Sequence, residues 1–150
     1  MEDLRMASEK LASAWLALSS NVWRNRLMKE MTFNEFCICR LLHQNGEGRV
    51  NATWLCRQTG ILRSQMNREL GAMEEKNYLR RLRSEKDRRQ VDILLLPAGE
   101  AVYLRQREAI MRQVDEIAAR LGAENATAVA EQVQLVVQTL QTVFERKGKE

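Results

Sequence analysis

The sequence predicts a mainly α-helical fold that carries one short two-stranded β-hairpin. Three observations point to it. Apolar residues recur three and four apart through most of the chain, as they do in helices with one buried face. The composition agrees, with one proline, seven glycines and three phenylalanines against many Leu, Ala, Gln, Glu and Arg. The exception is a basic block at residues 80–89, Arg-Arg-Leu-Arg-Ser-Glu-Lys-Asp-Arg-Arg, set between the apolar stretches Tyr78-Leu79 and Val91 to Leu96. That is the pattern of a hairpin with a cationic tip.

Leu4, Ala7, Leu11, Ala14, Trp15, Leu18 and Val22 keep helical spacing, which predicts a long first helix ending near Lys29. Thr32-Phe33-Asn34-Glu35 then reads as a capping box, in which the Thr32 hydroxyl accepts from an exposed backbone N–H and Glu35 reaches back. A second helix starts there and runs to about Gln44, where Asn45-Gly46-Glu47-Gly48 stops it. Asn51 can cap a short third helix through Thr59, which Gly60 terminates. A fourth follows at once, from about Leu62 to Lys76, and ends at Asn77, a residue that tolerates the left-handed conformation. Its residues Leu62, Met66, Leu70 and Met73 are spaced to pack inward. Two short helices across a tight glycine turn make a helix-turn-helix. Beyond the hairpin, Pro97 suits the first turn of a helix, since the N–H it lacks would be unpaired there. Tyr103, Ile110, Val114, Ile117 and Leu121 carry that helix to Gly122. A final helix, from about Glu124 to Arg146, bears a wide apolar stripe of Val129, Val133, Val136, Val137, Leu140, Val143 and Phe144.

The basic block holds six cationic and two anionic side chains, an excess of four that equals the formal net charge of all 150 residues. A chain of this length is one domain by the usual prior and builds a core without metal or disulfide staples. No apolar run approaches the roughly 20 residues that cross a bilayer. Met1-Glu2-Asp3 opens with acid rather than a basic leader, so a soluble, cytoplasmic protein with no membrane partner is expected. Cys37, Cys39 and Cys56 show no C-x-x-C spacing, and their odd number suits reduced thiols. A single histidine, His43, leaves too few ligands for a zinc motif, and no metal or other cofactor is expected. Cys39 and His43, four apart, can share a helix face as nucleophile and base. Without a third orienting group or an oxyanion site, no catalytic residue is assigned and no enzyme is expected.

Function concentrates on the fourth helix and the hairpin. In a helix-turn-helix the second helix lies in the major groove with its N-terminal residues over the base edges. Those positions read Arg63, Ser64, Gln65, Asn67 and Arg68. Arg can pair with guanine and Gln or Asn with adenine, while Ser contacts phosphate or base. Asn51 and Thr53, at the start of the third helix, complete the DNA-facing set. Lys86, Arg88 and Arg89 at the hairpin tip suit a narrow minor groove, whose potential draws guanidinium groups. Asp87 either orients Arg88 or Arg89 by a charge-assisted hydrogen bond or simply favours the turn.

Taken in order, Thr32-Phe33-Asn34-Glu35-Phe36, Leu55, Arg63-Ser64-Gln65-Met66-Asn67-Arg68, and Asp87-Arg88-Arg89 followed by Leu95, Pro97 and Gly99 resemble the MarR family of winged helix-turn-helix regulators. The likeness covers essentially the whole chain, and the Asp-x-Arg wing is its most specific part. It implies one MarR-like domain over residues 1–150, with a DNA-binding lobe and two-stranded wing at 32–96 and a helical dimerisation region at 1–31 and 97–150. It also implies a homodimeric repressor on palindromic double-stranded operator DNA, released by a phenolic or other small organic effector or by cysteine oxidation. Trp15, Trp23, Phe36 and Arg40 can line an effector pocket, with aromatic walls and Arg40 anchoring a carboxylate. The other reading makes the tryptophans dimer core and Arg40 a surface group.

Two alternatives stand beside the repressor. One is a winged-helix module that binds another protein and no DNA. The other is a redox-sensing regulator, although the peroxide-sensing branch of the family carries its reactive cysteine near the N-terminus, where this sequence has none. Three residues depart from the family pattern. Leu96 stands where a Thr usually caps the fifth helix, and Asn77 replaces a glycine. Gly71, in the middle of the recognition helix, costs about 1 kcal/mol relative to alanine.

Overall fold

Local chemistry sets most of the helix boundaries. The computed structural model describes the backbone of residues 2–24, 28–46, 48–83 and 90–147, and the side chains of these apart from 22–24 and 144–147. The elements are α1 (Glu2–Arg24), α2 (Phe33–Asn45), α3 (Ala52–Thr59), α4 (Arg63–Glu75), β1 (Leu79–Arg83), β2 (Val91–Leu95), α5 (Pro97–Leu121) and α6 (Ala123–Lys147). This is the expected mainly helical order with a two-stranded antiparallel sheet.

The capping box forms at α2: Thr32 Oγ1 accepts from the Glu35 N–H at 3.2 Å, and Glu35 Oε2 accepts from the Thr32 N–H at 2.9 Å. Glu35 is buried, and its second oxygen takes Lys76 Nζ at 2.6 Å, which draws the end of α4 onto the start of α2. Asn51 caps α3 through Oδ1, which accepts from the Trp54 N–H at 2.8 Å. Gly60 ends α3 at φ 73°, and Asn77 adopts φ 59° beyond α4, both left-handed as expected.

Two expectations fail here. The described part of α1 ends at Arg24, and Met28–Glu30 is not helical, whereas periodicity carried the helix to Lys29. The cause lies in α5. Gln106 Oε1 accepts from the backbone N–H of both Lys29 (3.0 Å) and Glu30 (3.2 Å), donors that a continuing helix would direct to its own carbonyls. Arg105 clasps the Glu30 carboxylate at 2.7 Å beside them. Leu62 also fails to pack inward and is 73% exposed. It is the N-cap residue of α4, with extended φ −64° and ψ 148°, so helical periodicity does not reach it.

The core of the lobe is built from Ile38, Cys39 and Leu42 of α2, Leu55 of α3, Met66, Leu70 and Met73 of α4, Leu79 and Ile93 of the hairpin, and Tyr103 of α5. The strands pair from Leu79↔Leu95 to Arg83↔Val91. Ile93 N–H also donates to the Val50 carbonyl at 2.7 Å, stitching the segment before α3 to β2. Leu96 N–H donates to the Tyr78 carbonyl at 2.8 Å, and its own carbonyl accepts the Glu100 N–H at 2.9 Å, so the backbone of Leu96 ties the start of α5 to the segment before β1. Gly99 is required there, because a Cβ would collide with the Tyr78 carbonyl.

Residues 1–109 form one compact unit, which holds all of these contacts, and residues 110–150 form a second. The second unit contains the rest of α5 and the whole of α6, joined at Gly122 with φ 80°. Val129, Val133, Val137 and Val143 of its apolar stripe are exposed within the chain, as are Leu4, Leu11, Trp15 and Leu18 of α1. No described helix is long and apolar enough to cross a membrane.

Candidate nucleic-acid interface

The two faces of α4 separate by burial. Met66, Leu70 and Met73 are fully buried, while Arg63, Ser64, Asn67 and Arg68 are exposed and Gln65 is half-buried. Asn34 Nδ2 donates to Glu69 Oε1 at 2.9 Å, which fixes the helix to α2 about its own axis. A row of hydrogen-bonding side chains is therefore held outward on a helix whose opposite face is packed in the core.

Asn51 and Thr53 are exposed at the start of α3. The Asn51 oxygen is committed to its cap, so only the amide donors of that side chain face outward. Thr53 Oγ1 accepts from Arg63 Nη1 at 2.7 Å, which joins the first turns of α3 and α4. The wing tip residues Lys86, Asp87, Arg88 and Arg89 lie outside the described residues.

The strand leading to the tip is basic, and Arg80, Arg81 and Arg83 are exposed. Arg81 is already committed. Its Nε lies 2.8 Å from Glu74 Oε2, and its backbone N–H donates to Glu74 Oε1 at 3.0 Å. Hydrogen bonding from Arg81 holds the Glu74 carboxyl below the usual carboxylate range. One of the six cations of the block thus ties β1 to α4, a pairing that residue counting does not reveal.

Of the suggested effector residues, Phe36 is half-buried against Tyr103, with ring centroids 5.2 Å apart. Trp15 and Arg40 are exposed, and the Trp23 side chain lies outside the described residues. Two cavities of the lobe are lined elsewhere. One, of about 190 Å³, is bounded by Leu42, His43, Gly46, Gly48, Val50, Ile93, Leu94, Leu95 and Glu100. The other, open and about 600 Å³, lies beside Asn77, Arg80, Leu96 and Pro97.

His43 does have an orienting group, since Glu100 Oε1 lies 2.8 Å from its Nδ1. Its neighbour Cys39 is wholly buried, and burial, assisted by the Glu35 charge, pushes that thiol up to about 12. Burial raises Cys37 as well, against the pull of Arg40. Both sulfurs therefore stay protonated at neutral pH and are poor nucleophiles. Among the described residues no three His, Cys, Asp or Glu side chains are grouped to hold a metal ion.

Residues 30–90 match the sequence model of the MarR family. A stretch of 76 residues is 36% identical to the uncharacterized HTH-type transcriptional regulator YpoP of Bacillus subtilis strain 168. That match spans 51% of this chain and 52% of YpoP, about half the length of the relative. The fold is similar to that of a MarR family protein from Bacillus stearothermophilus, with a TM-score of 0.74 at 17% identity, covering 91% of this chain and 97% of that one. It is also similar to the transcriptional repressor CouR bound to a 23-mer DNA duplex, with a TM-score of 0.72 at 26% identity, over 85% and 89% of the two chains. NadR in complex with 4-hydroxyphenylacetate gives a TM-score of 0.63 at 26% identity over the same shares. From just before the α2 capping box, through the helix-turn-helix and into the wing, the chain is thus similar in sequence to the MarR family, and its fold is similar to that of MarR family structures.

Proposed function

We propose that this protein is a homodimeric, sequence-specific regulator of transcription that binds duplex DNA and represses, with α4 in the major groove and the wing-tip arginines in the minor groove. The observation that carries this reading is the division of α4: three core residues lock one face, and the opposite face presents Arg63, Ser64, Asn67 and Arg68 to solvent. CouR, bound to its DNA duplex with 26% identity, supports DNA as the partner. NadR, bound to 4-hydroxyphenylacetate at the same identity, supports release by a small phenolic or other organic effector. No catalytic role is assigned.

Selection of bound duplexes from a random library tests the reading. The parent is expected to enrich a palindrome, as two lobes related by a two-fold axis require. Gln65→Ala and Asn67→Ala should each relax preference at particular positions, every such contact being worth roughly 1–3 kcal/mol of discrimination. Enrichment of no sequence by the parent would leave a protein-binding module in its place.

A further inference from the structure

Thr53 and Arg63 stand ten residues apart in the chain, yet one hydrogen bond joins them, from Arg63 Nη1 to Thr53 Oγ1 at 2.7 Å. Both side chains are exposed, and Thr53 is the only partner of Arg63 among the described residues. Stability does not account for such a contact. Holding a long solvent-facing side chain in one geometry costs rotamer entropy that an exposed hydrogen bond scarcely offsets. What the contact does achieve is aim.

In a helix-turn-helix the first residues of the second helix lie over base edges, whereas the first helix crosses the phosphate backbone. A guanidinium tethered to the opening turn of α3 is held on the backbone side of that boundary. One of its five N–H donors is given to Thr53 and the others stay available to phosphate oxygens.

Resting on the DNA-binding reading above, we infer that Thr53 is a positioning residue that presets Arg63 as a phosphate anchor, so that Arg63 sets affinity and register rather than base choice. Among the described residues Asn67 and Arg68, one turn further along α4, carry no such tether to α3 and are left to read bases.

The test uses the full chain, a duplex that the parent selects from a random library, and an unrelated duplex of equal length. Thr53→Val keeps the side-chain shape without the acceptor, and Thr53→Ser restores it. Thr53→Val should weaken binding to both duplexes by one common factor, roughly three- to tenfold, because the guanidinium must then be ordered on association. Thr53→Ser should bind as the parent does. Arg63→Ala should lower the salt slope by about one, and in that background Thr53→Val should change little further. Reselection with either variant should return the parent's base preference.

The inference is overturned by Thr53→Val binding as tightly as the parent or more tightly, or by effects of the two substitutions that simply add. A changed preference at one base position overturns it too, since Arg63 would then read a base. Matching thermal melting of parent and Thr53→Val separates lost aim from lost fold, and Thr53→Ala repeats the comparison where valine perturbs α3. A parent that selects no duplex overturns the DNA-binding reading, and this inference with it.

Discussion

Cys39 shows how one residue's surroundings decide its chemistry. Four residues from the histidine, it has the spacing of a nucleophile, but it is packed in the core beside the buried Glu35 carboxylate, and its thiol is pushed up to about 12. The consequence reaches stability. An unfolded thiol gives up its proton from about pH 9, while the folded one keeps it, so alkali favours the unfolded chain between those two values. Stability present below pH 9 should therefore fall as pH rises, with Cys39 contributing up to about 1.4 kcal/mol per pH unit. Lys76 adds to the same trend, because Glu35 raises its pKa and their ion pair is lost only as pH climbs past the ordinary lysine range. Urea unfolding of parent and Cys39→Ala at pH 7, 9 and 10 separates the two. The variant should start lower and decline less steeply, and parallel declines would rule out a Cys39 contribution.

Among the elements, α4 combines a firm anchor with a weak point. Gly71 lies one turn after Asn67 and Arg68 on the outward-facing side, and a Cβ built there meets nothing within 4 Å. Among the described residues nothing explains the glycine sterically, so Gly71→Ala should stabilise the protein by about 0.5–1 kcal/mol through helix propensity and a less disordered unfolded state. Chemical denaturation checks this: the midpoint should rise at constant m, and an unchanged or lower midpoint would mean that α4 is strained there. The caps at Thr32, Asn51, Gly60 and Asn77 are legible in the sequence because each depends on residues three or four positions away. Leu62 misleads because a periodic pattern does not mark where a helix starts. The Gln106 clamp on Lys29 and Glu30, across 76 or 77 residues, and the pairs Lys76–Glu35 and Arg81–Glu74 leave no local signature at all. For the site, the outward row of α4 follows from spacing. The aim of Arg63 does not, since it depends on how the glycine turn brings α3 and α4 together.

For the molecule as a whole, the exposed apolar surface is the property that a single chain leaves unresolved. Along α6, Val129, Val133 and Val137 recur every fourth residue and each is about half exposed; along α1, Leu4, Leu11 and Leu18 recur every seventh and are more than half exposed. A soluble monomer seldom tolerates contiguous stripes of this kind, whose burial would release roughly 25 cal/mol per Å² of apolar surface. Repulsion between copies offers little opposition, because the formal excess of charge equals that of residues 80–89 and the rest of the chain is balanced. A second copy of the chain is therefore the expected cover, and sedimentation at micromolar concentration should give twice the mass of one chain. Val133→Asp, which places a carboxylate in the middle of the α6 stripe, should shift that equilibrium toward monomer. DNA binding then reports on the assembly as well. A lobe without its twin loses the second half-site and the effective concentration that linkage supplies, so affinity for the selected palindrome should fall at least a hundredfold while affinity for unrelated DNA changes much less. A parent that sediments as a stable monomer, or a Val133→Asp monomer that binds the palindrome undiminished, would show that each lobe acts alone.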